Sequence, residues 1–163
     1  MINIVVPLAG EGTRFSSTGI KTPKPLIVVN GKTMIEHSVE TLGIKGQYIF
    51  ITKEYKNDAY NIELSSIIKR IQPDAIEIKV DKKQRGAADA VMYAEKYIDN
   101  KNSLITINCD QILNWDAEKF IQSVEESNCD GAVVLFKADD PKHSYAEVVD
   151  NKIIKVVEKE VIS

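Results

Sequence analysis

Two glycines and three cations near the amino terminus carry the first recognisable chemistry in this chain. An apolar run from Ile4 to Leu8 empties into Ala9-Gly10-Glu11-Gly12-Thr13-Arg14, and Lys21 and Lys24 follow within ten residues of Arg14. Glycine has no Cβ, so the backbone can approach a ligand closely, and successive N–H groups in such a turn form an anion-binding concavity. Arg14, Lys21 and Lys24 place positive side chains in the same stretch. The simplest ligand for a strand, a glycine turn and cations together is a polyphosphate.

Two common phosphate motifs fail on spacing. The dinucleotide fingerprint needs a third glycine after Gly10-x-Gly12, and Phe15 stands there. Gly31-Lys32-Thr33 matches the tail of a Walker A sequence, yet the leading glycine of that motif would fall at Leu26, inside an apolar run. Asn30-Gly31 reads instead as a turn, and Thr33 as a helix cap with Glu36 completing a capping box.

A longer pattern is more specific. Leu8-Ala9-Gly10-x-Gly12-Thr13-Arg14-Phe15, then Lys24-Pro25-Leu26, Gln84-x-Gly86-Ala87-Ala88, Asn108-Cys109-Asp110, Tyr145-Ala146 and Glu158-Lys159 occur in this order along the chain. The series resembles the signature of the sugar-phosphate nucleotidyltransferases, which join a nucleoside triphosphate to a sugar 1-phosphate or a similar phosphate and release pyrophosphate. The resemblance implies a GT-A-like fold and a cytoplasmic supplier of nucleotide sugars to surface polysaccharide. A second acidic metal ligand of the family comes from a strand past residue 163, so the chain is expected to be a single domain, 1–163, shortened at its carboxyl end. Such a chain alone would turn over slowly or not at all.

The residues can be assigned roles at two levels. Asp110, directly after a predicted buried strand, is placed to hold a hard divalent cation. Mg²⁺ favours one or two carboxylates plus substrate phosphates over a protein cage. Arg14 and Lys24 suit phosphoryl transfer, in which positioned cations meet the charge of the transition state. The amide of Gln84 has both donor and acceptor and suits a pyrimidine edge. The resemblance adds that Arg14 meets the departing pyrophosphate and Lys24 the reacting phosphates. It also implies that the backbone of Leu8, Ala9 and Gly86 helps hold the nucleotide with Gly10, Gly12 and Thr13. On the sugar-phosphate side it implies Tyr145, with Glu158 accepting from hydroxyls and Lys159 meeting the phosphate. Glu160-Val161 replaces the proline that usually follows that lysine.

Composition narrows the class. The 163 residues are 44% hydrophobic and 28% charged, with a net charge of −3, so there is no basic field for nucleic acid. Cys109 and Cys129 have no metal-ligand spacing and read as reduced thiols. No segment reaches the roughly 18 apolar residues needed to span a bilayer. Composition thus excludes nucleic acid and membrane as expected partners, and the resemblance implies a nucleoside triphosphate and a small phosphorylated molecule. Self-association stays open.

The elements that must position these residues follow from periodicity. Ile4–Leu8, Tyr48–Thr52, Ile76–Val80 and Ser103–Ile107 read as strands, and Ala132–Phe136 as another. Helices are predicted over Thr33–Leu42, from Tyr60 to Ile71, across Ala87, Val91, Ala94 and Ile98, and over Asp116–Ser127 with Phe120, Ile121 and Val124 buried. Ala146–Val149 and Ile153–Val157 flank a hairpin turn at Asp150-Asn151. Alternating strands and helices imply an α/β, Rossmann-like, doubly wound and mostly parallel sheet with helices on both faces. In such sheets ligands bind outside the carboxyl ends of the strands, where the glycine turn, Gln84 and Asp110 all fall.

The expected chemistry is in-line displacement at the α-phosphorus. No Ser-His-Asp or Cys-His arrangement is visible, and His143 has no partner at a recognisable spacing. A glycosyltransferase using a nucleoside-diphosphate sugar is the first alternative, but Asn108-Cys109-Asp110 lacks the first carboxylate of its usual metal motif. A non-catalytic nucleotide-binding fragment is the second.

Overall fold

β1 (Ile2–Pro7) owes its place to the apolar run Ile4, Val5 and Val6, all fully buried, while its one polar side chain, Asn3, is buried with its amide donating to Asn100 Oδ1 at 3.1 Å. In the computed structural model, which describes residues 1–10, 19–82 and 84–162, β1 lies between two parallel neighbours. On one side it pairs with β4 (Gln47–Lys53) in the register Ile4↔Tyr48 and Pro7↔Ile51. On the other it pairs with β6 (Ser103–Thr106) through Val5↔Thr106. β5 (Ile76–Val80) extends the sheet beyond β4, giving the order β5-β4-β1-β6 with every pair parallel. The mostly parallel sheet expected from the sequence is therefore the architecture found.

Side chains alternate across this sheet and define two buried faces. Val5, Ile49, Ile51 and Val80 form one core with Ala9 and Ala94, against which Val91, Tyr97 and Ile98 pack. They come from α3 (Ala87–Met92) and α4 (Glu95–Ile98), where the sequence predicted one continuous helix. The chain tightens between them: Tyr93 N–H donates to the Ala90 carbonyl and Ala94 N–H to that of Val91. This i→i−3 geometry breaks the helix and presses Ala94, fully buried, onto the sheet.

The opposite face carries Ile4, Val6, Tyr48 and Phe50, all buried, and is covered by α1 (Met34–Leu42) and α2 (Asp58–Ile71). Ser65 of α2 donates to Glu77 of β5, which also accepts from Thr52 of β4. Arg70 of α2 reaches Glu36 of α1 at 2.8 Å. At the start of α1, the Glu36 carboxylate accepts from the backbone N–H and the hydroxyl of Thr33, and Gly43 ends the helix at φ 66°. A two-residue ribbon precedes it, β2 (Val28–Val29) on β3 (Lys32–Thr33), turning at Asn30-Gly31 with both φ values positive. Fully burying each large apolar side chain of these faces contributes about 1.5–3 kcal/mol.

The described residues group into two compact units, Met1–Lys119 and Phe120–Ser163. α5 (Ala117–Ser127) begins in the first, where the Lys119 N–H is capped by Asp116. Its predicted apolar stripe of Phe120, Ile121 and Val124 is only half-buried. The second unit contains the hairpin of β7 (Ser144–Val149) and β8 (Lys152–Glu158). Its turn residues Asp150 and Asn151 both have positive φ, as the sequence led us to expect. Ala132–Phe136, predicted as a strand, is irregular: Val133 is 63% and Phe136 73% exposed, and no backbone ladder includes them. β-branched and aromatic residues favour a strand only where another strand accepts their backbone groups. Among the described residues no helix is long and apolar enough to cross a membrane.

Gly46 has a role the sequence did not reveal. A Cβ there would press into the Ile2 carbonyl oxygen and meet Ile4 Cδ1 at 3.0 Å, so β4 can enter the sheet beside β1 only with a glycine before it. Gly46→Ala should therefore destabilise the protein by about 1–3 kcal/mol, the range for overpacking a close contact. The check is a lowered midpoint in urea unfolding at unchanged slope.

Candidate functional site

Four parallel strands end on one edge of the sheet, and the cleft along that edge collects residues far apart in sequence. Gly10 follows β1, Lys53 ends β4, Gln84 and Gly86 follow β5, and Asp110 follows β6; all line the same cleft with Leu8 and Ala9. Leu8 N–H donates to the Ile51 carbonyl at 2.7 Å, which carries the β1–β4 ladder one residue past the strand. Among the described residues, a Cβ added to Gly10 or to Gly86 would meet no atom within 4 Å.

Lys24 is delivered by a short 3₁₀ turn, Lys24–Leu26. Pro25 and Leu26 are buried and hold it to the body of the unit, while the Met34 N–H donates to the Ile27 carbonyl just after it. The Lys24 ammonium then meets Asp110 Oδ2 at 2.5 Å across the cleft. Both side chains keep partial access to solvent, 26% and 34%. A pair this exposed adds little to stability, and both groups can exchange each other for a ligand.

The turn bearing Asp110 is fastened from below by α1. The fully buried hydroxyl of Ser38 donates to the Asn108 carbonyl at 2.7 Å. Thr41 continues the fastening: its hydroxyl accepts from Leu113 N–H at 3.1 Å, and its carbonyl accepts from the Trp115 indole N–H at 3.0 Å. Cys109, between these fixed points, is 6% exposed. Burial pushes its thiol up to about 11, Lys24 opposing the shift and Asp110 adding to it. The thiol is therefore protonated and unreactive at neutral pH.

Of the other candidates, Gly12, Thr13 and Arg14 fall outside the described residues. Lys21 is exposed. The Gln84 amide donates to the nearby Lys82 carbonyl, and Arg85 is engaged by Asp89 at 2.9 Å within the same loop. Tyr145, Glu158 and Lys159 come together on the hairpin of the second unit, where Ser144 pairs with Glu158 and Tyr145 with Val157. There Lys159 and Glu158 form an ion pair at 2.9 Å, and the Tyr145 phenol donates to the Asp140 carbonyl at 3.0 Å. His143 accepts the Lys159 N–H on its carbonyl and meets Phe136 edge to face, a surface role.

Among the described residues no cluster of three or more His, Cys, Asp or Glu could cage a metal ion. The donor set at Asp110 is one carboxylate facing an open cleft. That fits magnesium, which keeps water and substrate phosphate in most of its coordination sphere, and does not fit zinc. Lys53 and Tyr55 were missed in the sequence. The signal was present, since both sit where the second strand meets the ligand edge.

With this geometry in hand, the similarities are informative. The family model described as nucleotidyl transferase matches residues 4–160, and the chain belongs to that family. The chain is 30% identical over 161 residues to the bifunctional protein GlmU of Methanococcus vannielii, covering 97% of this chain and 35% of that protein. It is 27% identical over 167 residues to the mannose-1-phosphate guanyltransferase of Aspergillus oryzae, covering 96% of this chain and 44% of that one. Thus it spans about a third to under half of the length of these relatives. In structure it resembles the nucleoside-diphosphate-sugar pyrophosphorylase of Vibrio cholerae RC9 with a TM-score of 0.76 over 98% of this chain and 68% of that one, at 23% identity.

Accessibility at the bottom of the cleft can be read from its thiol. At pH 8 iodoacetamide should modify the exposed Cys129 in the native protein and leave Cys109 unmodified until urea unfolds the chain. Peptide mapping by mass spectrometry distinguishes the two. Equal labelling of both thiols in the native protein would show the end of β6 to be open.

Proposed function

We propose that this protein transfers a nucleoside monophosphate from a nucleoside triphosphate to a sugar 1-phosphate or a similar small phosphate, releasing pyrophosphate. The observation that carries the reading is the meeting of Lys24 and Asp110 at 2.5 Å beside the Gly10 turn, on the ligand edge of a parallel sheet. A cation for phosphate and a carboxylate for a hard metal stand in contact, each neutralising the other until a ligand separates them. Membership of the family and the sugar 1-phosphate substrate in the name of the Aspergillus relative support the same acceptor class.

In this reading the backbone of Leu8, Ala9, Gly10, Gly12, Thr13 and Gly86 cradles the nucleotide, and Gln84 meets the base. Lys24 turns from Asp110 to the reacting phosphates, while Arg14 meets the departing pyrophosphate. Asp110 would hold magnesium, which would supply charge to neutralise the phosphate oxygens. The acceptor's own phosphate oxygen is already a competent nucleophile, so no side chain must remove a proton, and positioning plus charge accounts for the chemistry. Tyr145, Glu158 and Lys159 serve the sugar-phosphate side. The product would be a nucleotide sugar for surface polysaccharide, made in the cytoplasm.

Steady-state pyrophosphate release, using a panel of triphosphates against sugar 1-phosphates, tests this directly. Arg14→Lys replaces a planar fork of donors with a single ammonium and should lower kcat about 10²-fold, the scale of losing one preorganised donor. Lys24→Met should do the same, whereas Asp110→Asn should mainly raise the magnesium concentration needed for half activity. If Arg14→Lys keeps the parental kcat at saturating substrate, its catalytic role is wrong.

A further inference from the structure

Between the glycine turn and the Gln84 loop, the floor of the cleft is formed by the end of β4. Here Lys53 crosses to the first strand, and its ammonium donates to the Gly10 carbonyl at 3.2 Å. The same nitrogen lies 5.5 Å from the centroid of the Tyr55 ring. Tyr55 is itself fixed. Its N–H donates to Asn61 Oδ1 at 2.8 Å, the Asn61 amide donates to its carbonyl at 2.9 Å, and Tyr60 meets its ring edge to face at 6.3 Å. Burial pushes its phenol up to about 12, so the ring stays neutral beneath the cation.

Among the described residues, Lys53 has no carboxylate within ion-pair distance; its partners are a neutral carbonyl and an aromatic face. An ammonium has three donors, and the Gly10 carbonyl takes one. A cation held this way is preorganised with donor capacity to spare. Its place along the sheet edge indicates what it meets. Asp110 and Lys24 lie toward β6 and Gln84 and Gly86 toward β5, so a nucleotide with phosphates at the first group and base at the second passes over Lys53.

We propose that Lys53, positioned by Gly10 and Tyr55, recognises the base of the bound nucleotide by donating to one of its ring oxo groups. The proposal rests on the nucleotidyl-transfer reading and deepens it: the site would favour oxo-bearing uracil, thymine, cytosine or guanine over adenine, which has no oxo group.

The test is calorimetric titration of the full chain, with magnesium, by UTP, dTTP, CTP, GTP, ATP and inorganic tripolyphosphate. The parent should bind an oxo-bearing triphosphate most tightly. Lys53→Met should weaken that triphosphate about tenfold, the scale of one charge-assisted hydrogen bond, and leave ATP and tripolyphosphate within threefold. Lys53→Gln, which keeps a neutral donor, should lose less, and thermal melting of both variants checks the fold. Equal losses for every ligand, tripolyphosphate included, would make Lys53 a general phosphate cation and overturn the proposal. Unchanged affinities, or a parent that prefers ATP, would overturn it too. A parent that binds tripolyphosphate but none of the nucleotides would also sink the nucleotidyl-transfer reading, whereas a parent that binds nucleotides normally while Lys53→Met has no effect would sink only this inference.

Discussion

Burial of β1 between two parallel neighbours is the constraint on which the rest of the molecule depends. A strand with helices over both faces and ladders on both edges can carry only apolar or hydrogen-bonded side chains: Ile4, Val5 and Val6 have zero exposure, and buried Asn3 donates to Asn100 Oδ1. Because β4 and β6 run parallel to it, all three chains leave the sheet on the same side. Gly10, Lys53 and Asp110 therefore share a cleft although a hundred residues separate the first from the last. The close passage of Gly46 under the Ile2 carbonyl is the local condition for that register.

α1 converts this placement into geometry. It covers one face of the sheet and, through Ser38 and Thr41, grips the chain from Asn108 to Trp115. Leu26 anchors the turn before it, so Lys24 and Asp110 approach from two segments that both rest on the first unit's core. Their ion pair is partly exposed and weakly stabilising, which suits the exchange for a charged ligand that the proposed reading requires. Beside it, desolvation of Cys109 keeps its thiol neutral.

Features set by local rules were legible in the sequence. The unbroken apolar run of β1, the Thr33-x-x-Glu36 capping box with Gly43 behind it, and the Asp150-Asn151 turn each depend on residues within a few positions, and each is found. What escaped depends on neighbours distant in the chain. The break at Tyr93 follows from pressing Ala94 onto the sheet, and among the described residues no strand pairs with Ala132–Phe136. The candidate site was legible where a motif marked it, at Gly10, Lys24, Gln84 and Asp110. Lys53 had no motif and needed the sheet-edge rule applied to the second strand as well as to the others. Tyr145, Glu158 and Lys159 come together at the open end of a hairpin whose strands run past the predicted Ala146–Val149 and Ile153–Val157.

The central claim is that the open backbone at Gly10 is where a triphosphate lies. Among the described residues a Cβ added at Gly10 would meet no atom within 4 Å, and the residue does not occupy the left-handed region, so in the proposed reading a side chain there obstructs the ligand and not the fold. The most direct measurement is calorimetric titration of magnesium–triphosphate into the parent and Gly10→Val, with thermal melting of both. The account predicts a melting temperature within a few degrees of the parent, because surface changes alter stability by only about 0.5 kcal/mol, together with loss of triphosphate binding. A valine variant that binds triphosphate as tightly as the parent would contradict it.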